Sequence, residues 1–258
     1  MPVTSFVLRP YINSVRNSVN SSGGTCTWQF SQMVGPVASL IATDPGSAGG
    51  ICEFLAAKWL EGHANDEHIA NWITQGGGEI DPSKVRNLMQ LFIIGSEYNR
   101  AAIEGNAVRG GTVDQTEATR RWLMHKGIIR RNGIIPITFQ NAPSQTIALG
   151  TTLGTEPRNG GNRSAHAGNL GAAIAGNLHY GNGHYAMIGI YGPGGAHAMA
   201  AWIANDVAFF DPNFGEFYFS DKDAFISWFP TFFRRSGYSW PWVGLCEDYE
   251  TLFYAKKI

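Results

Sequence analysis

Ala48-Gly49-Gly50-Ile51-Cys52-Glu53-Phe54-Leu55-Ala56-Ala57-Lys58-Trp59-Leu60 is the stretch on which the reading of this chain turns. Two glycines run into a cysteine, and Ile51, Phe54, Leu55, Lys58, Trp59 and Leu60 then recur near helical spacing. That pattern predicts a helix with one face packed into a core. Cys52 falls in its first turn, where unpaired backbone N–H groups and the helix dipole favour an anion and so stabilise a thiolate. A buried structural cysteine at a glycine-rich helix start fits the same letters, because free cysteine is among the most buried residue types. What weighs against that plainer reading lies far along the chain, at His197 and Asp211.

Working outward, composition narrows the field. The chain has 258 residues, 44% hydrophobic and 15% charged, which fits a globular protein and not a disordered or fibrous one. With 19 basic and 20 acidic side chains the net charge is −1, and there is no long basic run, which argues against nucleic acid as a partner. Cys26, Cys52 and Cys246 are too few for a disulfide framework and lack the paired spacing of a structural zinc site. No apolar run is long enough to span a membrane, and no charged leader precedes a long apolar segment, so a Sec-type signal peptide is not expected.

Met1 to Gly24, rich in Asn and Ser, reads as a flexible arm able to carry a secretion signal, followed by a single domain over residues 25–258. Helices are expected over Gln32 to Ala42 with Pro36 as an interruption, from Cys52 to about Gly62, and from Asp66 to Ile73. Two more should run from Pro82, capped by Asp81, to about Gly105, and from Asp114 to a stop at Gly127. Beyond Gly127 the period shortens. Ile128-Ile129, the Asn132-Gly133 turn and Ile134 to Phe139 read as a hairpin, Thr155 to Asn162 as a polar loop, and Ala165 to Leu178 as a close-packed helix. Strand-like runs follow at Tyr185 to Tyr191, His197 to Ala204, Val207 to Phe210 and Glu216 to Phe219, then a short helix over Asp221 to Phe229 and a last strand at Leu252 to Ala255. Helices first and antiparallel strands later predict an α+β fold.

His197 opens one of those strands and Asp211 closes the next. If the two pair through Ala204-Asn205-Asp206, the imidazole and the carboxylate meet at one end of a sheet, and the second ring nitrogen can face a thiol. Packed against the Cys52 helix, they give nucleophile, base and orienting acid. His184 is a rival base without a comparable carboxylate. His63 and His68 are one residue too far apart for a zinc helix, so no metal is expected. Trp228, Phe229, Phe232, Phe233, Trp240 and Trp242 form an aromatic end that is either core and lid or an exposed binding surface.

The Gly50-Ile51-Cys52 helix start, Ala196-His197-Ala198, and Phe209-Phe210-Asp211-Pro212-Asn213-Phe214-Gly215-Glu216-Phe217 together resemble the YopT/AvrPphB-type papain-like cysteine protease family of bacterial effectors and toxins. The resemblance implies a papain-like fold, with a helical N-terminal half packed on a C-terminal antiparallel sheet. It implies Cys52 as nucleophile, His197 as general base and acid, and Asp211 as its orienting partner, with no cofactor. It further implies a virulence effector exported by a specialised bacterial secretion system, with or without a secretion chaperone. Such an effector would act in the target-cell cytoplasm on a protein substrate such as a small GTPase or a kinase. Papain-like enzymes place a Gln or Asn ahead of the cysteine to help form the oxyanion hole. Here that region reads Asp44-Pro45-Gly46-Ser47-Ala48, so Ser47 and the Cys52 N–H are the expected donors, with Gln29 and Gln32 further away. The same triad serves acyl transfer or deamidation, and a non-catalytic binding module on this fold is the remaining alternative.

Overall fold

Leu8, Ile12, Val15 and Val19 are spaced three and four residues apart, the interval that puts side chains on one face of a helix. In the computed structural model all four are buried, the last three on α1 (Ile12–Asn20). The structure describes residues 8–74, 78–106, 115–131, 133–137, 145–149, 152–153 and 163–257. From Leu8 to Gly24 the expectation of a flexible arm is therefore overturned. Asn13, Asn17 and Asn20 occupy the solvent side of an amphipathic helix, Ser18 is buried and accepts from Trp228 Nε1, and β1 (Gly24–Trp28) follows directly as a sheet strand.

The next elements are helical. α2 (Gly35–Ile41) has Pro36 in its first turn, where the missing N–H costs nothing, so the proline starts the helix instead of interrupting it. α3 (Cys52–Ala64) matches the predicted nucleophile helix, and α4 (Ile69–Ile73) is shorter than expected. α5 (Pro82–Asn106) starts where predicted, with the Asp81 carboxylate accepting from Ser83 N–H, and α6 (Gln115–His125) ends before Gly127. The proposed cap Asp114 and the Thr155 to Asn162 loop lie outside the described residues.

The predicted hairpin does not form as read. β2 (Ile128–Arg130) pairs with the C-terminal strand, whereas β3 (Gly133–Ile137) pairs with β4 (Gln145–Leu149) in a sheet of its own. A free sheet edge and a buried site for Ile128 outweigh the local turn. After β5 (Thr152–Leu153) and α7 (Arg163–His179) come β6 (His184–Gly192), β7 (Gly195–Ile203), β8 (Val207–Asp211) and β9 (Gly215–Phe219). α8 (Lys222–Arg235), capped by Asp221, runs on past Phe229, and β10 (Asp248–Lys256) closes the described chain. The main sheet is antiparallel, in the order β1-β9-β8-β7-β6-β10-β2, with β5 also paired to β10.

Both faces of this sheet are covered. Val207 and Phe209 point to one face, into a core shared with α1, α7 and α8, while Ala208 and Phe210 point to the other, into a core shared with α2 to α6. That is why β8 reads as a continuous apolar run and not as an alternation. α3 packs on β7, where Ala198 and Ala200 face the helical layer, and Ala56 and Ala57 are fully buried on α3 itself. Small side chains on both elements let the backbones approach closely, which brings Cys52 at the start of α3 to His197 near the start of β7.

α1 has a further task. Arg16 Nε donates to the Phe214 carbonyl at 2.8 Å, and its Nη2 donates to the Phe30 carbonyl at 2.6 Å. One guanidinium thus ties the β8–β9 turn to the segment before α2. Arg16→Ala should lower the unfolding free energy by about 1.5–3 kcal/mol, the range for hydrogen bonds from a charged donor, as read by urea denaturation. Truncation at Ser31 should unfold the chain, because it removes the core residues of α1 and the edge strand β1. Unchanged stability in Arg16→Ala would show that the clamp is idle.

Candidate active site

The β7–β8 register sets two of the three expected site residues side by side. His197 lies near the start of β7 and Asp211 ends β8, and Ala200 pairs with Phe210 between them. His197 Nε2 is 3.0 Å from Asp211 Oδ1, with the side chains 4% and 0% exposed. The other ring nitrogen is left for Cys52, which acts on His197 both as a hydrogen-bond partner and as a charge. Burial lowers the affinity of the imidazole for a proton. The charges of Asp211 and Cys52 and the bonds to both outweigh it, and push the His197 pKa up to about 10.

His184, the rival base, sits at the far end of β6: Ile190 pairs with His197, whereas His184 pairs with Ile203. Six residues of strand separate the two positions, about 20 Å. Its Nδ1 faces the Asn182 carbonyl. Of the aromatic end, Trp228, Phe229, Phe232 and Phe233 are core, and only Trp242, at 73% exposure, faces solvent strongly. The broad exposed aromatic surface that a binding module would use is thus not formed by these residues.

Ser47 is not free for an oxyanion hole. It is fully buried, and its hydroxyl is within donor distance of the Ile41 carbonyl at 3.2 Å and the Asp44 carbonyl at 3.3 Å, where it holds the turn before α3. The side chain at the start of α3 is that of Gln32, which the sequence reading had set aside as distant. Gln32 Oε1 accepts from Ile51 N–H at 3.0 Å, and Gln32 N–H donates to the Pro212 carbonyl at 2.7 Å. Gly50 matters here through its backbone: its φ of +110° is one that L side chains rarely adopt, whereas a Cβ there would make only ordinary contact with the Gln32 amide.

The bond from Ile51 fixes the direction of a whole chain of hydrogen bonds. An N–H can only donate, so Gln32 must present its oxygen to Ile51 and its nitrogen to Asn213. Gln32 Nε2 accordingly donates to Asn213 Oδ1 at 2.9 Å, and Asn213 Nδ2 donates to the Tyr238 hydroxyl at 2.9 Å. Tyr238 then has its proton left for Asp211, whose Oδ2 lies 3.0 Å away. Asn213 N–H also donates to Asp211 Oδ1, at 2.7 Å. Only one of the two Gln32 amide protons is used in this chain of bonds; Cys52 follows Ile51, and its own backbone N–H is among the first of α3 and has no intrahelical acceptor. Asn213 belonged to the motif noted in the sequence. No sequence signal pointed to Tyr238, which follows α8 and is fully buried with its ring centroid 5.2 Å from that of His197.

The family model described as Yersinia/Haemophilus virulence surface antigen, Peptidase_C58, matches residues 16–242. The chain belongs to this family of cysteine proteases. It is 31% identical to the cysteine protease YopT of Yersinia enterocolitica over 98% of its own length and 71% of that protein. It is 25% identical to the protein adenylyltransferase and cysteine protease IbpA of Histophilus somni, over 88% of its own length and 5% of that much longer protein. Among solved structures, the Pseudomonas avirulence protein AvrPphB superposes with a TM-score of 0.50 at 14% identity, covering 82% of this chain and 95% of that one. The fold is therefore papain-like, and the chain is a thiol protease of a virulence-associated family.

Two substitutions test the hydrogen-bond chain. Tyr238→Phe leaves Asn213 Nδ2 without its acceptor and should cost about 1–3 kcal/mol in urea unfolding. Asn213→Asp is nearly isosteric, yet it cannot donate to Tyr238 and brings a second carboxylate toward Asp211, so it should cost more. Equal, near-zero losses in both would mean that these groups do not act as one unit.

Proposed function

We propose that the protein hydrolyses a peptide bond in a protein of a target cell, with Cys52 as nucleophile, His197 as general base and acid, and Asp211 as its orienting partner. The observation that carries this reading is the buried imidazole held between Asp211 and Cys52. The Cys52 thiolate attacks the carbonyl carbon of the scissile bond and forms a tetrahedral intermediate. Its oxyanion is met by the Cys52 backbone N–H and the remaining Gln32 amide proton. His197 then protonates the leaving amine, a thioester remains, and a water deprotonated by His197 releases the acid product. Acyl transfer and deamidation share the thioester step. Hydrolysis is favoured because relatives that align over nearly the whole chain are named cysteine proteases. The virulence association of the family supports export from the producing bacterium and action inside another cell.

Cys52→Ala should abolish cleavage while the protein still folds, since alanine suits the first turn of a helix. Proteomes of cells expressing either form, compared by mass spectrometry, would reveal the lost cleavage product. A folded Cys52→Ala protein that still cleaves would rule out the nucleophile.

The pH profile tests Asp211. Activity needs thiolate and imidazolium together, and His197 is held well above the 6.5 of a free imidazole. kcat/KM should therefore persist through neutral pH and fall only as the imidazolium loses its proton in the alkaline range. Asp211→Ala removes a charge that raises the His197 pKa, so its alkaline limb should move to lower pH. Asp211→Asn should retain more turnover than Asp211→Ala, because the amide oxygen can still accept from Nε2. A limb that stays in place in Asp211→Ala would remove the electrostatic role from this carboxylate.

A further inference from the structure

A second carboxylate lies on the strand after Asp211, in quite different surroundings. Glu216 is 8% exposed and accepts three hydrogen bonds: Trp59 Nε1 to Oε2 at 2.6 Å, Thr27 Oγ1 to Oε1 at 2.7 Å, and His68 Nε2 to Oε1 at 3.0 Å. Burial works against its charge, but these donors outweigh it and hold the carboxyl below the usual range. No lysine or arginine is paired with it among the described residues. His68 is a poor counter-ion. Its Nδ1 accepts from Ala70 N–H at 3.1 Å, so the proton on Nε2 is the one a neutral ring carries. The bond to Glu216 raises the His68 pKa, yet full protonation would break the cap that Nδ1 places on α4.

Glu216 faces a cavity of about 200 Å³, walled by Trp59, His63, His68 and Tyr218 and open to solvent beside Tyr218, which is 40% exposed. Glu67 also lines it, and Asp66 and Asp206 lie close enough to act on His63. Among the described residues no lysine or arginine lines it. Among the described residues Oε2 of Glu216 accepts only the Trp59 bond, and a carboxylate oxygen can accept two. An accessible Tyr218 ring, a buried carboxylate with room for a further donor, Glu67 in the lining and two aspartates nearby are what an organic cation requires. The volume is below the roughly 300 Å³ at which drug-sized ligand sites begin, and so suits one side chain or a small amine. His63 and His68, read from the sequence as a rejected zinc pair, meet here, but no cluster of metal-ligand type forms among the described residues.

We infer that this cavity is a binding site for a guanidinium or alkylammonium group, with Tyr218 against its face and Glu216 as its counter-charge. The cation is either a free small amine or a basic side chain of a bound protein. The site is separate from the proposed triad: Trp59 is seven residues beyond Cys52, about 10 Å along α3.

Calorimetric titration of the full chain with agmatine, with uncharged n-butylurea, and with a capped pentapeptide carrying one central arginine tests the assignment. Agmatine should bind saturably, and n-butylurea at least about tenfold more weakly. Tyr218→Ala, at an exposed position that does not threaten the fold, should weaken agmatine by about tenfold. Glu216→Gln, if it folds, should weaken it further. A pentapeptide that binds as tightly as agmatine assigns the site to a protein side chain, and one that binds more weakly assigns it to a free amine. No saturable binding of either cation, equal binding of n-butylurea, or an unchanged Tyr218→Ala would overturn the proposal. The measurement needs no turnover, so its failure leaves the protease reading intact, and an inactive protein that binds agmatine leaves this one intact.

Discussion

A carboxylate without solvent exposure costs several kcal/mol unless donors surround it, and Asp211 is such a group. Its donors come from three parts of the chain: the His197 ring on β7, the Asn213 N–H in its own turn, and the Tyr238 hydroxyl after α8. None of these can move without leaving the carboxylate short of a bond. The requirement to satisfy one buried group therefore fixes the β8–β9 turn, the approach of α8 to the sheet and the orientation of the imidazole together. It also explains why the turn reads Asp-Pro-Asn-Phe-Gly. Gly215 has φ +120°, and a Cβ there would lie 2.4 Å from the Trp28 carbonyl, so only glycine lets β9 begin beside β1.

The same network reaches the cysteine. Because Ile51 can only donate, every amide between it and Asp211 has a single permitted orientation, and the Gln32 amide is held against the residue that precedes Cys52. In the proposed mechanism a Gln32 donor held in this way needs no reorganisation as charge develops, which is where electrostatic catalysis gains most. Arg16 braces both ends of the arrangement through the Phe30 and Phe214 carbonyls. The N-terminal helix is thus part of the frame of the site, in keeping with a family match that begins at residue 16.

What the sequence made legible was local. Helix periodicity and a glycine-rich start located Cys52, and turn chemistry with alternating strands located His197 and Asp211. Gln32 escaped because its relation to α3 is tertiary. It lies 19 residues before Ile51, beyond a separate helix, and nothing in the intervening letters specifies that α2 folds back. Ser47 looked right by proximity, yet its short side chain finds carbonyls in its own turn first, as serines in turns commonly do. The polar face of α1 was read as disorder because a helix of nine residues offers few apolar positions, and only packing on the sheet stabilises it. The strand at Ile128 was assigned the wrong partner for a related reason, since a turn signal is local and an open sheet edge is not.

α3 and the β8–β9 connection are each used twice. Cys52 stands at the start of α3 and Trp59 two turns on; Asp211 closes β8 and Glu216, five residues later, is the second residue of β9. At both positions a buried carboxylate on the sheet is joined by hydrogen bonds to side chains from the helical layer: Asp211 to Gln32 through Tyr238 and Asn213, Glu216 directly to Trp59 and His68. Papain-like chemistry needs the helix and the strands to keep their spacing to within a few tenths of an ångström, because a hydrogen bond to the imidazole weakens steeply beyond it. The Trp59–Glu216 bond, anchored in the stack of Trp59 on Phe210 at 6.1 Å, supplies a second point of fixation along the same two elements. A cation seated against Glu216 would touch both of them at once.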